Sequence, residues 1–179
     1  KLKAYKQSLI TEVVTKGLDS TVPMKNSGVE WIGEIPEKWS VVPLKSKFSF
    51  GKGLPITKDD LVEEGIPVIS YGQIHAKWNT GVTTHENLLR YVNESYLESN
   101  SSALVKKGDL IMADTSEDRD GCGNCAYIDI DETVFAGYHT IILNALNSEN
   151  NKYFAYLFLT DNWRSQIRKA VSGVKLFSI

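Results

Sequence analysis

The sequence predicts an α+β domain with an irregular, mainly antiparallel sheet and one helix at each end. Apolar residues recur at helical spacing in residues 1–16 and again in residues 151–171. Between these ends, short runs of β-branched and aromatic residues alternate with loops rich in Gly, Asn and Asp, a pattern typical of short strands joined by turns. With 179 residues, 42% of them hydrophobic, the chain can form one globular domain and an appended helix.

The first predicted helix covers residues 1–16 and ends at Gly17, a residue suited to a helix C-terminus. One face carries apolar side chains at helical spacing: Leu2, Tyr5, Leu9, Ile10 and Val13. A single helix of this length is only marginally stable in isolation. We therefore expect this stripe to contact another surface, in a second copy of the chain if necessary. Residues 18–27 are polar and contain Pro23, which predicts a linker and a domain boundary.

The middle of the chain is predicted to form short strands, at residues 41–44, 48–50, 68–70, 109–112, 126–130, 134–135 and 140–143. Residues 59–64 and part of 86–96 predict single helical turns. The C-terminal helix is expected over residues 151–171, with a candidate break at Asp161 and Asn162.

Composition and charge exclude some classes of protein. No apolar run approaches the ~20 residues needed to cross a bilayer, and no charged-then-apolar start suggests a secretion signal. The chain begins with Lys inside a helical pattern, so we expect it to be a piece of a longer protein. Its net charge of −2 argues weakly against nucleic-acid binding. However, the charge is polarised, with acids concentrated in residues 114–132 and bases in residues 152–179.

Motifs for catalysis on DNA are missing. An adenine methyltransferase needs a cofactor-binding glycine loop and an Asn/Asp-Pro-Pro-aromatic motif, and the chain has no adjacent pair of prolines. Gly51-Lys52-Gly53 lacks the spacing of a phosphate-binding loop. Asp109 and Asp114 would suit a metal-dependent nuclease only if they converged, but their odd spacing points them to opposite faces of one strand. We therefore expect no catalytic residues and no metal ligands.

Cys122 and Cys125, in the pattern C-G-N-C, leave a second class of function open. A redox pair would need a helix N-terminus to activate one thiol, whereas this motif lies in a glycine-rich, acidic loop. A zinc site would need a second pair of ligands, and only His139 lies nearby in the sequence. We predict free thiols in a reducing, cytoplasmic compartment. A thiol- or zinc-dependent enzyme, or a protein-interaction module using these cysteines, is the alternative.

Residues 25–44, KNSGVEWIGEIPEKWSVVPL, are the most informative segment of the chain. Pro36 lies between Trp31 and Trp39 and opposes a helix, so we expect an extended entry segment whose aromatic rings fold back onto the core. The segment closely resembles the stretch that opens a target-recognition domain in specificity subunits of type I restriction-modification systems. KLKAYKQSLITEVVTKGLD (1–19) resembles the end of that family's central spacer helix. GIPVISYGQIH (65–75), KGDLIMADTSED (107–118) and AGYHT (136–140) are similar to segments of one subclass of these domains.

The resemblance implies a division of the chain. Residues 1–17 would be the end of the conserved, coiled-coil central spacer helix, residues 18–27 a linker, and residues 28–179 the second, barrel-like target-recognition domain. In this family each recognition domain reads one half of a bipartite target on double-stranded DNA, and paired spacer helices dock the methyltransferase subunits. The implied subunit contacts on the spacer helix are Leu2, Tyr5, Leu9 and Val13.

The resemblance also implies that the chain is a non-catalytic subunit. S-adenosylmethionine, ATP and Mg belong to the partner subunits, so the chain itself is expected to bind no cofactor. It would contact the restriction (R) subunit only indirectly and associate with no membrane.

Two sets of side chains are candidates for DNA contact. Donors and acceptors in loops that follow predicted strands can bond to base edges in the major groove: Gln73, His75, Ser116, Glu117, Arg119 and His139. Basic or hydroxyl side chains can contact phosphates: Lys52, Tyr71, Lys106, Arg164, Arg168 and Lys175. For each set the alternative is an ordinary structural or solvated role; Tyr71, for example, would then lie in the core.

Overall fold

Short strands and two long helical regions make up the structure, a computed structural model that describes residues 1–147, 151–173 and 175–179. The helices are α1 (Leu2–Lys16), α2 (Tyr71–Ile74), α3 (Tyr96–Ser99), α4 (Asn151–Phe158) and α5 (Asp161–Ala170). The strands are β1 (Met24–Asn26), β2 (Glu34–Pro36), β3 (Phe48–Lys52), β4 (Leu61–Val62), β5 (Ile66–Ile69), β6 (Arg90–Val92), β7 (Leu104–Val105), β8 (Leu110–Ala113), β9 (Thr115–Ser116), β10 (Cys125–Tyr127), β11 (Val134–Ala136), β12 (Thr140–Ala145), β13 (Ser172–Gly173) and β14 (Phe177–Ser178). Single 3-10 turns lie at Leu44–Ser46, Lys58–Asp60, Glu86–Leu88 and Ser101–Ala103.

The strands are arranged in mainly antiparallel sheets. One sheet has the order β10-β8-β12-β3 and is antiparallel throughout. A second has the order β4-β6-β5-β11-β7, in which only β5 and β11 run parallel. Two small sheets, β1-β2 and β13-β14-β9, complete the described part of the chain. The α+β prediction is confirmed, and the sheets in these residues stay open rather than closing into a barrel.

Strand β8 lies at the centre of the core because it is buried on both faces. Leu110 and Met112 belong to a buried cluster that includes Phe158 of α4. Ile111 and Ala113 belong to a second cluster, formed largely by the five-stranded sheet. Successive side chains of a strand point to opposite faces, so the four-stranded sheet is a middle layer between α4 and the five-stranded sheet. This burial explains why β8 is apolar at every position.

Helix α1 packs on the domain that follows it. The buried side chain of Val14 anchors the helix, the hydroxyl of Tyr153 donates to the carbonyl of Val14 at 2.8 Å, and the Gln7 amide donates to the carbonyl of Leu159 at 2.6 Å. Val14 is outside the predicted stripe. Along that stripe Leu2, Tyr5 and Leu9 remain 86%, 69% and 47% exposed, and Ile10 and Val13 are half-buried. The helix therefore has one side on its own domain and a second, apolar side open.

The entry segment folds as the sequence predicts. Ile35 and Pro36 lie in β2, and the ring of Trp31 contacts Trp163 edge-on at 6.3 Å. Trp39 contacts Tyr153 in the same way at 6.3 Å. The predicted linker, however, includes β1, which pairs with β2 from Met24↔Pro36 to Asn26↔Glu34. Residues 24–26 are therefore tied to the entry segment by a hairpin.

The prediction of a strand at residues 41–44 is wrong. No strand forms there, and Leu44–Ser46 forms a 3-10 turn instead. Pro43 lacks a backbone N–H and cannot donate to a strand ladder, and Val41 and Val42 are exposed. Local propensity alone therefore does not create a strand at this position.

The predicted break in the C-terminal helical region is confirmed. Helix α4 ends at Phe158, and the Thr160 hydroxyl accepts a hydrogen bond from the backbone N–H of Trp163 as the N-cap of α5. Single turns are also found at Lys58–Asp60 and Glu86–Leu88, within or beside the two predicted regions. None of the helices in the described ranges is long and apolar enough to span a membrane.

Candidate nucleic-acid interface

Three aromatic side chains meet where strands of the two large sheets end. Tyr71 opens α2 directly after β5, and Tyr138 and His139 connect β11 to β12. The ring of Tyr71 lies 5.5 Å from that of Tyr138 and 5.4 Å from that of His139. Strands β5 and β11 are parallel neighbours, so their carboxyl ends open on the same edge. Tyr71, Tyr138 and His139 are named the aromatic cluster below.

His139 has an unusual backbone conformation. Its φ of 55° lies in the left-handed region, which costs a non-glycine residue on the order of 1 kcal/mol or more and persists where the surroundings enforce it. The imidazole is half-exposed, and its Nδ1 lies 3.6 Å from Oδ1 of Asp114 and 3.4 Å from the hydroxyl of Thr115. Two polar groups that directly follow β8, on Asp114 and Thr115, thus lie beside one nitrogen of a half-exposed ring.

The loop between β9 and β10, residues 117–124, lies beside this cluster. Glu117 and Arg119 are exposed at its tip, and the Arg119 guanidinium donates to the carbonyl of Arg168 at 2.9 Å; their base-reading roles stay predictions. Ser116 is only 3% exposed, because β14 pairs with β9 at Phe177↔Ser116. The Ser116 hydroxyl accepts from the N–H of Asp118 at 3.3 Å. Its hydroxyl is therefore used to shape the loop.

Gln73 and His75 both have partners inside the domain. The Gln73 side-chain oxygen accepts from the N–H of Ser70 at 3.1 Å, which caps α2. His75 Nε2 lies 2.9 Å from the carbonyl of Thr115, and its Nδ1 lies 3.1 Å from the amide nitrogen of Asn124. Both ring nitrogens of His75 are thus engaged in this structure, and its base-reading role stays a prediction.

The two arginines of α5 also bind within the domain. Arg164 donates to the side-chain oxygen of Asn124 and to the carbonyl of Asp120, and burial lowers the pKa of its guanidinium from the ordinary value. Arg168 contacts Asp161 at 2.7 Å and Asp120 at 3.7 Å. These side chains fasten α5 to the β9–β10 loop, and their phosphate contacts stay predictions.

The three candidate lysines are exposed but do not lie together. Lys52 ends β3 and pairs with Ile141, next to the aromatic cluster. Lys175 lies between β13 and β14, in the sheet that includes β9; the neighbouring Val174 is outside the described residues. Lys106 precedes β8, at the end of that strand opposite to Ala113 and the cluster. The structure thus brings Lys52 and Lys175, but not Lys106, to this side of the domain.

Residues 36–176 match the family model of the type I restriction modification DNA specificity domain. The chain belongs to this family. A curated relative, the type I restriction enzyme MjaVIII specificity subunit of Methanocaldococcus jannaschii, is 24% identical over 180 residues, which cover 96% of this chain and 39% of the relative. The chain therefore spans well under half the length of that specificity subunit.

Solved structures share the fold of this DNA specificity domain. The HsdS subunit from Thermoanaerobacter tengcongensis superposes with a TM-score of 0.55 at 14% identity, over 99% of this chain and 40% of that one. A chain from a structure of complex assembly and conformational transition in a type I R-M system superposes with a TM-score of 0.51 at 14% identity, over 88% of this chain and 35% of that one. At these identities the likeness supports the α+β fold alone.

The cysteines of this DNA specificity domain show no sign of redox or zinc chemistry. Cys122 and Cys125 are buried free thiols. Burial raises the pKa of Cys125 to about 12 and also raises that of Cys122, although the Arg164 charge opposes both shifts. Among the described residues, no group of three or more His, Cys, Asp or Glu side chains is placed to hold a metal ion. The thiol or zinc alternative therefore has no support in the family match or in the site.

Neither Asp114 nor Asn124 is among the side chains that the sequence predicts for DNA contact. Asp114 lies beside His139, and Asn124 joins His75 to Arg164. Asn124 lies inside C-G-N-C, but this motif draws attention to its two thiols and not to the amide. Because the partners of Asn124 lie 49 and 40 residues away, no local pattern links them.

Proposed function

We propose that this chain reads one half of a bipartite target on double-stranded DNA, as the non-catalytic recognition module of a type I specificity subunit. The family match over residues 36–176 carries the proposal. The curated relative is likewise named as a specificity subunit. In this proposal S-adenosylmethionine, ATP and Mg are bound by partner subunits.

The candidate interface supports a division between base reading and phosphate contact. The exposed tip of the β9–β10 loop carries Glu117 and Arg119. Glu can accept from cytosine N4, and Arg can donate to guanine O6 and N7. Acidic side chains repel phosphates, so this loop is better suited to the major groove of DNA than to the sugar-phosphate backbone. Lys52 and Lys175, exposed on the same side of the domain, are suited to the flanking phosphates.

Helix α1 supports the docking part of the proposal. Leu2, Tyr5 and Leu9 form an apolar side that the domain leaves exposed, and an apolar helix face is typical of a surface that contacts another protein. We propose that methyltransferase subunits bind there, together with the paired spacer helix of the subunit. The restriction subunit would then join the assembly indirectly.

Substitution of Arg119 tests the reading role. The experiment measures binding of the assembled methyltransferase complex to its target and to unrelated DNA at fixed salt. Arg119→Ala should cost roughly 1–3 kcal/mol on the target and little elsewhere. Arg119→Lys is the matched control, because it keeps the charge but loses the two-pronged guanine contact. It should likewise leave binding to unrelated DNA unchanged, and it should not restore the preference for the target.

Two outcomes would contradict the proposal. If Arg119→Ala and Gln73→Ala both leave the ratio of target to unrelated binding unchanged, the reading loops are placed wrongly. If the purified chain alone transfers methyl groups to DNA or cleaves it, the non-catalytic role is wrong.

A further inference from the structure

We propose that Asn124 is the positioning residue that sets the β9–β10 loop for DNA reading, by joining His75 after α2 to Arg164 of α5. This inference rests on the proposed function. The Asn124 amide nitrogen lies 3.1 Å from Nδ1 of His75, and its oxygen accepts from Nη1 of Arg164 at 2.5 Å. One short side chain at the end of the loop therefore connects two helical elements that are otherwise distant in sequence.

The directions of these hydrogen bonds are determined by the chemistry of the partners. Arginine has donors only, so it must face the Asn124 oxygen, and the Asn124 amide nitrogen then donates toward His75. The Nδ1 of His75 must consequently be an acceptor. Its Nε2 faces the carbonyl of Thr115 at 2.9 Å, which can only accept. The network is therefore satisfied only by a neutral His75 that carries its proton on Nε2.

Rotating the Asn124 amide by half a turn would break the network at both ends. It would place N–H groups against Arg164 and an oxygen against Nδ1 of His75. A second proton on His75 would likewise place two donors face to face. The ring of Tyr71 lies edge-on to His75 at 6.0 Å, on the side of the aromatic cluster. The network thus joins the cluster, the loop and α5 in one arrangement with a defined proton position.

The packing of the loop makes this arrangement tight. A Cβ at Gly121 would lie 3.1 Å from Cε1 of His75, and a Cβ at Gly123 would lie 2.8 Å from Ile167 of α5. Gly123 also has a φ of 76°, which favours glycine. Arg164 reaches the carbonyl of Asp120 at the same time. The loop is thus seated against His75 on one side and α5 on the other, and its tip with Glu117 and Arg119 faces outward.

A merely stabilising role would not predict a particular proton position, so ring-nitrogen NMR of the whole chain tests the network directly. The 15N signals of His75, assigned by their loss in His75→Gln, should show protonation at Nε2 and a free lone pair at Nδ1. Asn124→Asp has the same shape but no donor, so His75 should now carry a proton on Nδ1 and its signals should change. A wild-type His75 protonated at Nδ1, or unchanged signals in Asn124→Asp, would overturn the network.

DNA binding by the assembled complex tests the positioning role. Asn124→Ala should lower the ratio of target to unrelated binding about tenfold, the scale of one hydrogen bond involving a charged group, while unrelated DNA binds as before. Asn162→Ala is the matched control, because the Asn162 side chain on α5 donates to the carbonyl of Trp31 in the entry segment; its ratio should not change. A folded Asn124→Ala protein with an unchanged ratio would overturn the positioning role. If the wild-type complex showed no preference among sequences, the proposed function would fail and the positioning role with it, while the ring signals would still report the network.

Discussion

Replacing Asp109 by alanine should destabilise the domain by about 3 kcal/mol. Its carboxylate is 2% exposed and accepts from two backbone N–H groups, those of Ala145 at 2.8 Å and Lys106 at 2.9 Å. These bonds tie the turn before β8 to the end of β12. Because both carboxylate oxygens accept backbone hydrogen bonds, Asp109 stabilises the central strand β8 rather than serving as a metal ligand.

The magnitude follows from the two bonds. A hydrogen bond to a charged group contributes about 1.5–3 kcal/mol, so losing both would cost about 3–6 kcal/mol. A surface cleft of 370 Å³ beside Lys106, Asp109 and Ala145 admits water to the abandoned N–H groups, which favours the lower end. Asp109→Asn keeps one acceptor and should cost about half as much. With a urea dependence of about 2 kcal/mol per M, Asp109→Ala should lower the unfolding midpoint by about 1.5 M.

Urea unfolding, followed by tryptophan fluorescence and circular dichroism together, measures this effect. Asp131→Ala is the matched control, since its exposed carboxylate pairs with the exposed Lys107 at 2.8 Å, and the substitution should leave the midpoint unchanged. An Asp109→Ala protein within about 0.5 kcal/mol of wild type, on the scale of an ordinary surface substitution, would refute the reasoning. So would equal losses in Asp109→Ala and Asp109→Asn, because one of the two bonds would then contribute nothing.

Three further results are expected. Lys52→Ala should weaken binding of the assembled complex to all DNA alike and reduce the slope of log K against log salt by about one unit. Lys38→Ala, which removes an exposed lysine of the entry segment, should do neither, and an unchanged slope in Lys52→Ala would place Lys52 outside the interface. Leu9→Asp should weaken self-association or methyltransferase binding in sedimentation experiments, and a wild-type chain that stays monomeric and binds no subunit would exclude this role for α1. Because burial raises the pKa of Cys122 and of Cys125 (the latter to about 12), little thiolate exists at pH 8; alkylation should be slow in the folded protein and fast in urea, and rapid labelling without urea would contradict the buried thiols.

Much of the architecture could be predicted because its signals are local. The helical spacing near both ends, Pro36 between two tryptophans and the turn-rich middle all act over a few residues. The short helix α2 was missed, although Ser70 and Gln73 form a capping box at its start. Four residues, one of them Gly72, are too few to show the periodicity of a helix. Residues 41–44 are the opposite case. Their β-branched residues predict a strand, but no partner strand lies beside them in the described residues.

The sequence by itself determined the fold class, the terminal helices and the family resemblance, because helix periodicity, turn chemistry and a contiguous motif are written in neighbouring residues. Only the tertiary structure decided which candidate side chains are covered or bonded within the domain and which are exposed. Ser116 is covered by a strand from the C-terminus, and the ring of His75 is held by Thr115 and Asn124. Glu117, by contrast, stays exposed at a loop tip. The sequence does not show whether a polar side chain bonds within the protein or to solvent. That depends on contacts between residues 40 or more positions apart.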